Sequence, residues 1–204
     1  MNDRTYKSGS IAAPARASAL AERQVALRAR YADNPAAATV TKRARTGPSA
    51  ADDPIHGTVV PENAVDPSRP YGAVWHYGID EAVGGLHDAP NPAEMLCAAL
   101  AACADSSIRM VADLLRVRLI GLEVEVSGQV DVRGTLAIDR SVPVGFEHLE
   151  MTVRIQAAPG TAPDRVDRLT RAAEHACVVL DTLRRGVPVD VTVEHPSASG
   201  GAHG

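Results

Sequence analysis

The chain has little of what many functional classes require. Of 204 residues only three are cysteines, Cys97, Cys103 and Cys177, an odd and sparse set that makes no disulfide framework for a secreted scaffold. No Cys-x-x-Cys pair occurs and the seven histidines show no ligand spacing, so no metal site is expected. One tryptophan, one phenylalanine and four tyrosines are too few rings for a base-stacking surface. A net charge of -4 supplies no general attraction for nucleic acid or an anionic membrane. There is no Gly-x-Ser-x-Gly nucleophile elbow. The start "MNDRTYKSGSIAAPARASA" lacks the apolar core of a secretory signal. The longest unbroken apolar run, Met95 to Ala104, has ten residues, too few to cross a bilayer. These absences favour a cytoplasmic, reducing setting in which any disulfide is transient.

What remains is one domain with loose ends. Residues 1 to about 14 read as disordered, and "RASALAERQVALRAR" predicts an exposed helix over 15–31, ended before Pro35. Strand signals are weak at 38–45 and 71–79, with turn-rich stretches on both sides of "IHGTVV". The first clear helix starts at Asn91. Asn at the cap, Pro92 at the first helical position and Glu94 three residues past the cap form a capping box, and the helix runs to about Leu115. Leu122, Val124, Val126, Val130 and Val132 share one parity, as do Leu149, Met151, Val153 and Ile155, so each set predicts a half-buried strand. A second helix is predicted from Asp164 to Arg185, with an apolar stripe of Val166, Leu169, Ala173, Ala176, Cys177, Leu180 and Leu183. Gly186 caps it, and Val187, Val189, Val191 and Val193 read as a last alternating strand. Residues 196–204 read as a flexible tail. This order predicts an α+β fold.

On the first helix, at 100° per residue, Leu96, Ala99, Leu100, Ser106, Ser107, Met110 and Leu114 fall within about 60° of Cys103. Arg109 faces away, in reach of Asp105 and Asp113. Two helices packed through these stripes would bring Cys103 and Cys177 together, although a free cysteine is also an ordinary small core residue.

Two stretches resemble a known family. "GGLHDAPNPAEMLCAALAAC" is similar to the first signature of the OsmC/Ohr-like proteins, and "EHACVVLDTLRRGVPVDVTVE" to the second. The resemblance spans about 38–195, with 1–37 as an N-terminal extension, and belongs to the broader OsmC-like branch. It implies an intertwined homodimer in which antiparallel sheets wrap two long central helices. It also implies a thiol-dependent peroxidase for organic hydroperoxides, with Cys103 peroxidatic, Cys177 resolving, no bound cofactor, and an external dithiol reductant. Neither nucleic acid nor membrane is an expected partner. Peroxidatic members add an arginine from an early loop and a glutamate ten residues before the first cysteine. Here position 93 is alanine and Glu94 stands nine before Cys103, about 180° away on the helix. Glu94, Arg43 and Arg45 are therefore the candidate supporting residues, with Cys97 as bystander or alternative resolving thiol. Val178 stands where many members carry proline. Two other readings stay open: a non-catalytic dimer binding a small hydrophobic ligand, and a thiol-based redox sensor.

Overall fold

The computed structural model describes residues 18–47 and 52–194. The expectations for the first 14 residues and for the 196–204 tail lie outside them. Two separate antiparallel sheets and four helices of eight residues or more make up the α+β arrangement that the pattern predicts.

Helix α1 spans Ala19–Asp33, four residues later than its predicted start, because Ser18 caps it: the Ser18 hydroxyl accepts the Ala21 N–H at 3.0 Å. The same hydroxyl donates to Asp113, tying α1 to the far end of the central helix. A short 3-10 turn, Pro35–Ala38, occupies the start of the expected 38–45 strand. Strand β1 is therefore only Arg43–Thr46; it pairs with β2 (Gly57–Glu62), which pairs with β3 (Trp75–Tyr77). A 3-10 turn at Glu81–Val83 follows, and then the Gly84-Gly85 pair of the first signature. Gly84 takes a left-handed φ of 94°, and a Cβ on Gly85 would lie 1.9 Å from the Ile79 carbonyl oxygen. Both positions thus exclude a side chain.

The central helix α2 covers Pro92–Leu114, as its start signal predicts. Asn91 Oδ1 accepts the N–H groups of Ala93 and Glu94 at 2.9 and 3.0 Å, and Glu94 accepts the Asn91 N–H at 2.9 Å. Its buried stripe is Leu100, Ala104, Ser107, Ile108, Val111 and Ala112. Ala99, Ser106 and Leu114, expected on the apolar face with Cys103, are exposed instead. By length and mean hydropathy (1.5) α2 also meets the requirement for a membrane span, as a core helix can. Here it packs on β4, α4 and α5.

Strand β4 (Leu119–Gln129) pairs with β5 (His148–Ala157), Val124 opposite Val153 and Val126 opposite Met151. Their half-buried faces are the predicted ones. Val130 and Val132 leave the strand, because Asp131 caps a one-turn helix α3 (Val132–Thr135) through the Arg133 N–H. Ile108, Val111, Ala112, Val117, Leu169 and Ala173 form one buried cluster; Leu100, Ala104, Cys177 and Leu180 form a second.

Two whole elements also depart from expectation. The helix predicted over Asp164–Arg185 is two helices, α4 (Pro163–Ala176) and α5 (Val178–Arg185), with Cys177 extended between them at φ -83° and ψ 101°. The apolar stripe runs across the break unchanged, which is why periodicity did not reveal it. The final strand does not form. Val187, Val189, Val191 and Val193 are 59–81% exposed, since among the described residues no strand lies beside them to complete a ladder.

Candidate functional site

The break at Cys177 frees backbone groups that a continuous helix would have paired, and α2 supplies their partners. The Ser107 hydroxyl, buried, donates to the Ala176 carbonyl at 3.4 Å. The Val179 N–H donates to Cys103 Sγ at 3.5 Å. Cys103 and Ser107 are four residues apart, on one face of α2, so one acceptor and one donor in adjacent turns serve both sides of the break. Neither role was visible in the sequence, where Ser107 is one small residue among many. The signal that existed was the second signature itself. A proline after Cys177 would force the preceding residue out of the helical region; Val178 does not, and the break persists without it.

The two sulfurs meet at this point. Cys177 is 1% exposed, packed with Leu100, Ala104 and Leu180, and hydrogen-bonded to the Cys103 side chain. Burial pushes the Cys177 thiol up; the Leu180 N–H draws it down, while the bond to Cys103 raises it further. Cys103 is only half-buried, so of the pair it is the one open to a reagent. A cavity of about 120 Å³ reaches Cys177 between Ile108, Met151, Val153 and Ala173, with Thr170 and Glu174 at its polar side.

The supporting candidates lie elsewhere. Glu94 is held in the capping box, and its other oxygen faces His87 Nε2 at 4.0 Å. Arg45 pairs with Glu62 across the first sheet at 2.7 Å, and every residue of β1 is exposed. Arg43 shares that strand. Within the chain the structure joins Cys103 to Cys177 but brings none of Glu94, Arg43 or Arg45 into the cluster around them. Arg109 pairs with Asp105 at 2.7 Å as expected, while Asp113 takes the Ser18 hydroxyl.

Cys97 is separate from the pair. It lines a cavity of about 1210 Å³ between the first half of α2, the end of β4 and β3, together with Trp75, Ala101, Val126 and Phe146. Burial, and then the charge of Glu94, push the Cys97 thiol up. Among the described residues no group of three His, Cys, Asp or Glu side chains is placed to hold a metal.

A profile of the family described as "OsmC-like protein" matches residues 85–192. No curated protein matches the sequence significantly. Among solved structures, an OsmC-like protein from Mycoplasma pneumoniae is similar with a TM-score of 0.54 and 12% identity, over 72% of this chain and 89% of its own. An OsmC-like protein of unknown function from Vibrio cholerae gives 0.52 and 11%, over 71% and 94%. An organic hydroperoxide resistance protein OsmC from Legionella pneumophila aligns with a TM-score of 0.49 and 20% identity, over 72% and 91%. The first two likenesses are of fold.

Proposed function

This chain belongs to the OsmC-like family, and from that premise we propose that it is a cytoplasmic thiol peroxidase that reduces organic hydroperoxides through Cys103 and Cys177. The observation that carries the reading is the contact of a half-exposed Cys103 with a buried Cys177 at a helix break. The Cys103 sulfur attacks the outer oxygen of R–O–O–H. The O–O bond breaks, the alcohol leaves with a proton, and a sulfenic acid remains on Cys103. The Cys177 sulfur then attacks the sulfenyl sulfur, the S–S bond forms, and water departs with the Cys177 proton. Two electrons have passed from the thiols to the peroxide. An external dithiol returns both thiols by exchange, itself becoming a disulfide; no bound cofactor is needed. The apolar walls around the pair favour a hydrocarbon-bearing hydroperoxide over hydrogen peroxide.

The working unit in this reading is a homodimer. Two observations support it: the exposed small-residue face of α2 (Ala98, Ala99, Ala102, Ser106) and the exposed valines after Gly186. A second copy would cover the first and pair with the second. The deciding experiment counts thiols in the reduced protein before and after one equivalent of cumene hydroperoxide, with peptide mapping. Loss of two thiols and a Cys103–Cys177 link is expected. Both thiols left free, beside a reactive control that oxidises, would sink the reading.

The large cavity favours a second reading, in which the family fold holds a small hydrophobic ligand without chemistry. Trp75, the single tryptophan of the chain, lines that cavity, so its fluorescence reports occupancy. Titration with cumyl alcohol would then give the same affinity for the native chain and for Cys103→Ser; an unchanged Trp75 signal throughout excludes it.

A further inference from the structure

The peroxidatic pattern sets an arginine and a glutamate around the first cysteine; here Arg45 is paired with Glu62 and Glu94 is held in the capping box. A sulfur that must carry negative charge in an apolar setting needs some other positive partner. Between and along α4 and α5, Arg184 pairs with Glu174 at 2.6 Å and Arg185 with Asp181. On α2, Arg109 faces Asp105. What does point at Cys103 is backbone.

Because the chain breaks at Cys177, Val178, Val179 and Leu180 form the first turn of an eight-residue helix, where N–H groups have no intrahelical acceptor. No side-chain cap closes this turn. The Val179 N–H goes instead to Cys103 Sγ, 76 positions away in sequence, and together with the Leu180 N–H it also acts on Cys177. We propose that the first turn of α5 does the work of the missing cation, with the Val179 N–H as the catalytic group that holds negative charge on Cys103. This rests on the thiol chemistry proposed above for the pair. A hydrogen bond from a fixed N–H strengthens as its acceptor becomes anionic, and the helix end adds its partial positive charge. It also gives the break a purpose: a continuous helix through Cys177 would have used this N–H internally.

Proline provides the test, since it removes an N–H yet is tolerated in a helix's first turn. Val178→Pro is the matched control. The Val178 N–H bonds neither sulfur, and Cys177 already has the extended backbone that a following proline demands. The readout is the rate at which iodoacetamide alkylates Cys103 at pH 7, followed by mass spectrometry of its peptide. Val179→Pro should slow it about tenfold, the loss of one hydrogen bond to a charged acceptor. Val178→Pro should stay within about twofold of the native rate. Equal rates in Val179→Pro and Val178→Pro would overturn the proposal.

Should Val179→Pro fail to fold by circular dichroism, the native chain decides. The Val179 amide-proton shift should move as Cys103 ionises and lose that movement in Cys103→Ser; a shift that never moves overturns it equally. Neither readout uses a peroxide. A tenfold alkylation effect without hydroperoxide turnover would therefore refute the peroxidase and leave this device standing.

Discussion

Glu94 shows how one residue step separates two roles. A carboxylate at position 93 would sit about 80° from Cys103 around the helix, whereas position 94 is on the opposite side. What position 94 does offer is the reach back to the Asn91 N–H, and the structure uses it so. Asn91 is itself only 6% exposed and ties Asp80 to the helix start at 2.8 Å. Glutamine at this position keeps the box, since its amide oxygen accepts the same N–H. Glu94→Gln should therefore leave hydroperoxide turnover within about twofold, where loss of a general acid or base costs a factor of about 100 or more. Asn91→Ala should instead lower stability by about 1 kcal/mol in denaturant unfolding without altering the pair's chemistry.

Between elements, His56 joins the first sheet's lead-in to the loop that launches α2. Its Nδ1 lies 2.9 Å from Asp53 and its Nε2 3.0 Å from Asp88. Carboxylates only accept, so both contacts are hydrogen bonds only when the ring carries two protons. The bond to Asp88, then that to Asp53, raises the His56 pKa above its ordinary value. Asp53 falls to about 2, chiefly through the Ile55 N–H and then His56. The signs follow by linkage. The raised histidine contributes stability in full below its unfolded value and loses it as pH rises through the folded one. The depressed Asp53 contributes above its unfolded value and loses it as pH falls towards about 2. The clamp is thus strongest in mildly acidic solution. The difference in thermal midpoint between the native chain and His56→Ala should peak there and vanish as imidazole signals show His56 losing its proton. A difference that is flat with pH would refute the clamp.

At the scale of the molecule, the unfinished parts all face outward. The alternating valines after Gly186 have strand periodicity and no ladder, and α2 leaves Ala98, Ala99, Ala102 and Leu114 exposed. In the proposed homodimer one chain completes the other. Deleting residues 187–204 should then shift the mass measured by light scattering from two chains to one; a native chain that is monomeric at every concentration would refute the assembly. Most of the fold follows from local pattern: α2 from its cap, β4 and β5 from alternation, and the α+β order from their succession. The short first sheet was harder to read, because Trp75–Tyr77 and Arg43–Thr46 are nearly all exposed and show no buried parity.

The sequence by itself determined the family, the two cysteines worth watching, and the helix that carries one of them, because two ordered signatures and a capping box are properties of adjacent residues. Only the tertiary structure decided where the second long helix breaks, that Cys103 and Ser107 satisfy the groups set free there, that Arg45 and Glu94 are engaged elsewhere, and that Arg43 lies on an exposed strand. The physical reason is the same in each case. A backbone donor or acceptor left by a break must find a partner, and that partner came from another helix about 70 residues away in the chain. No window of sequence contains both.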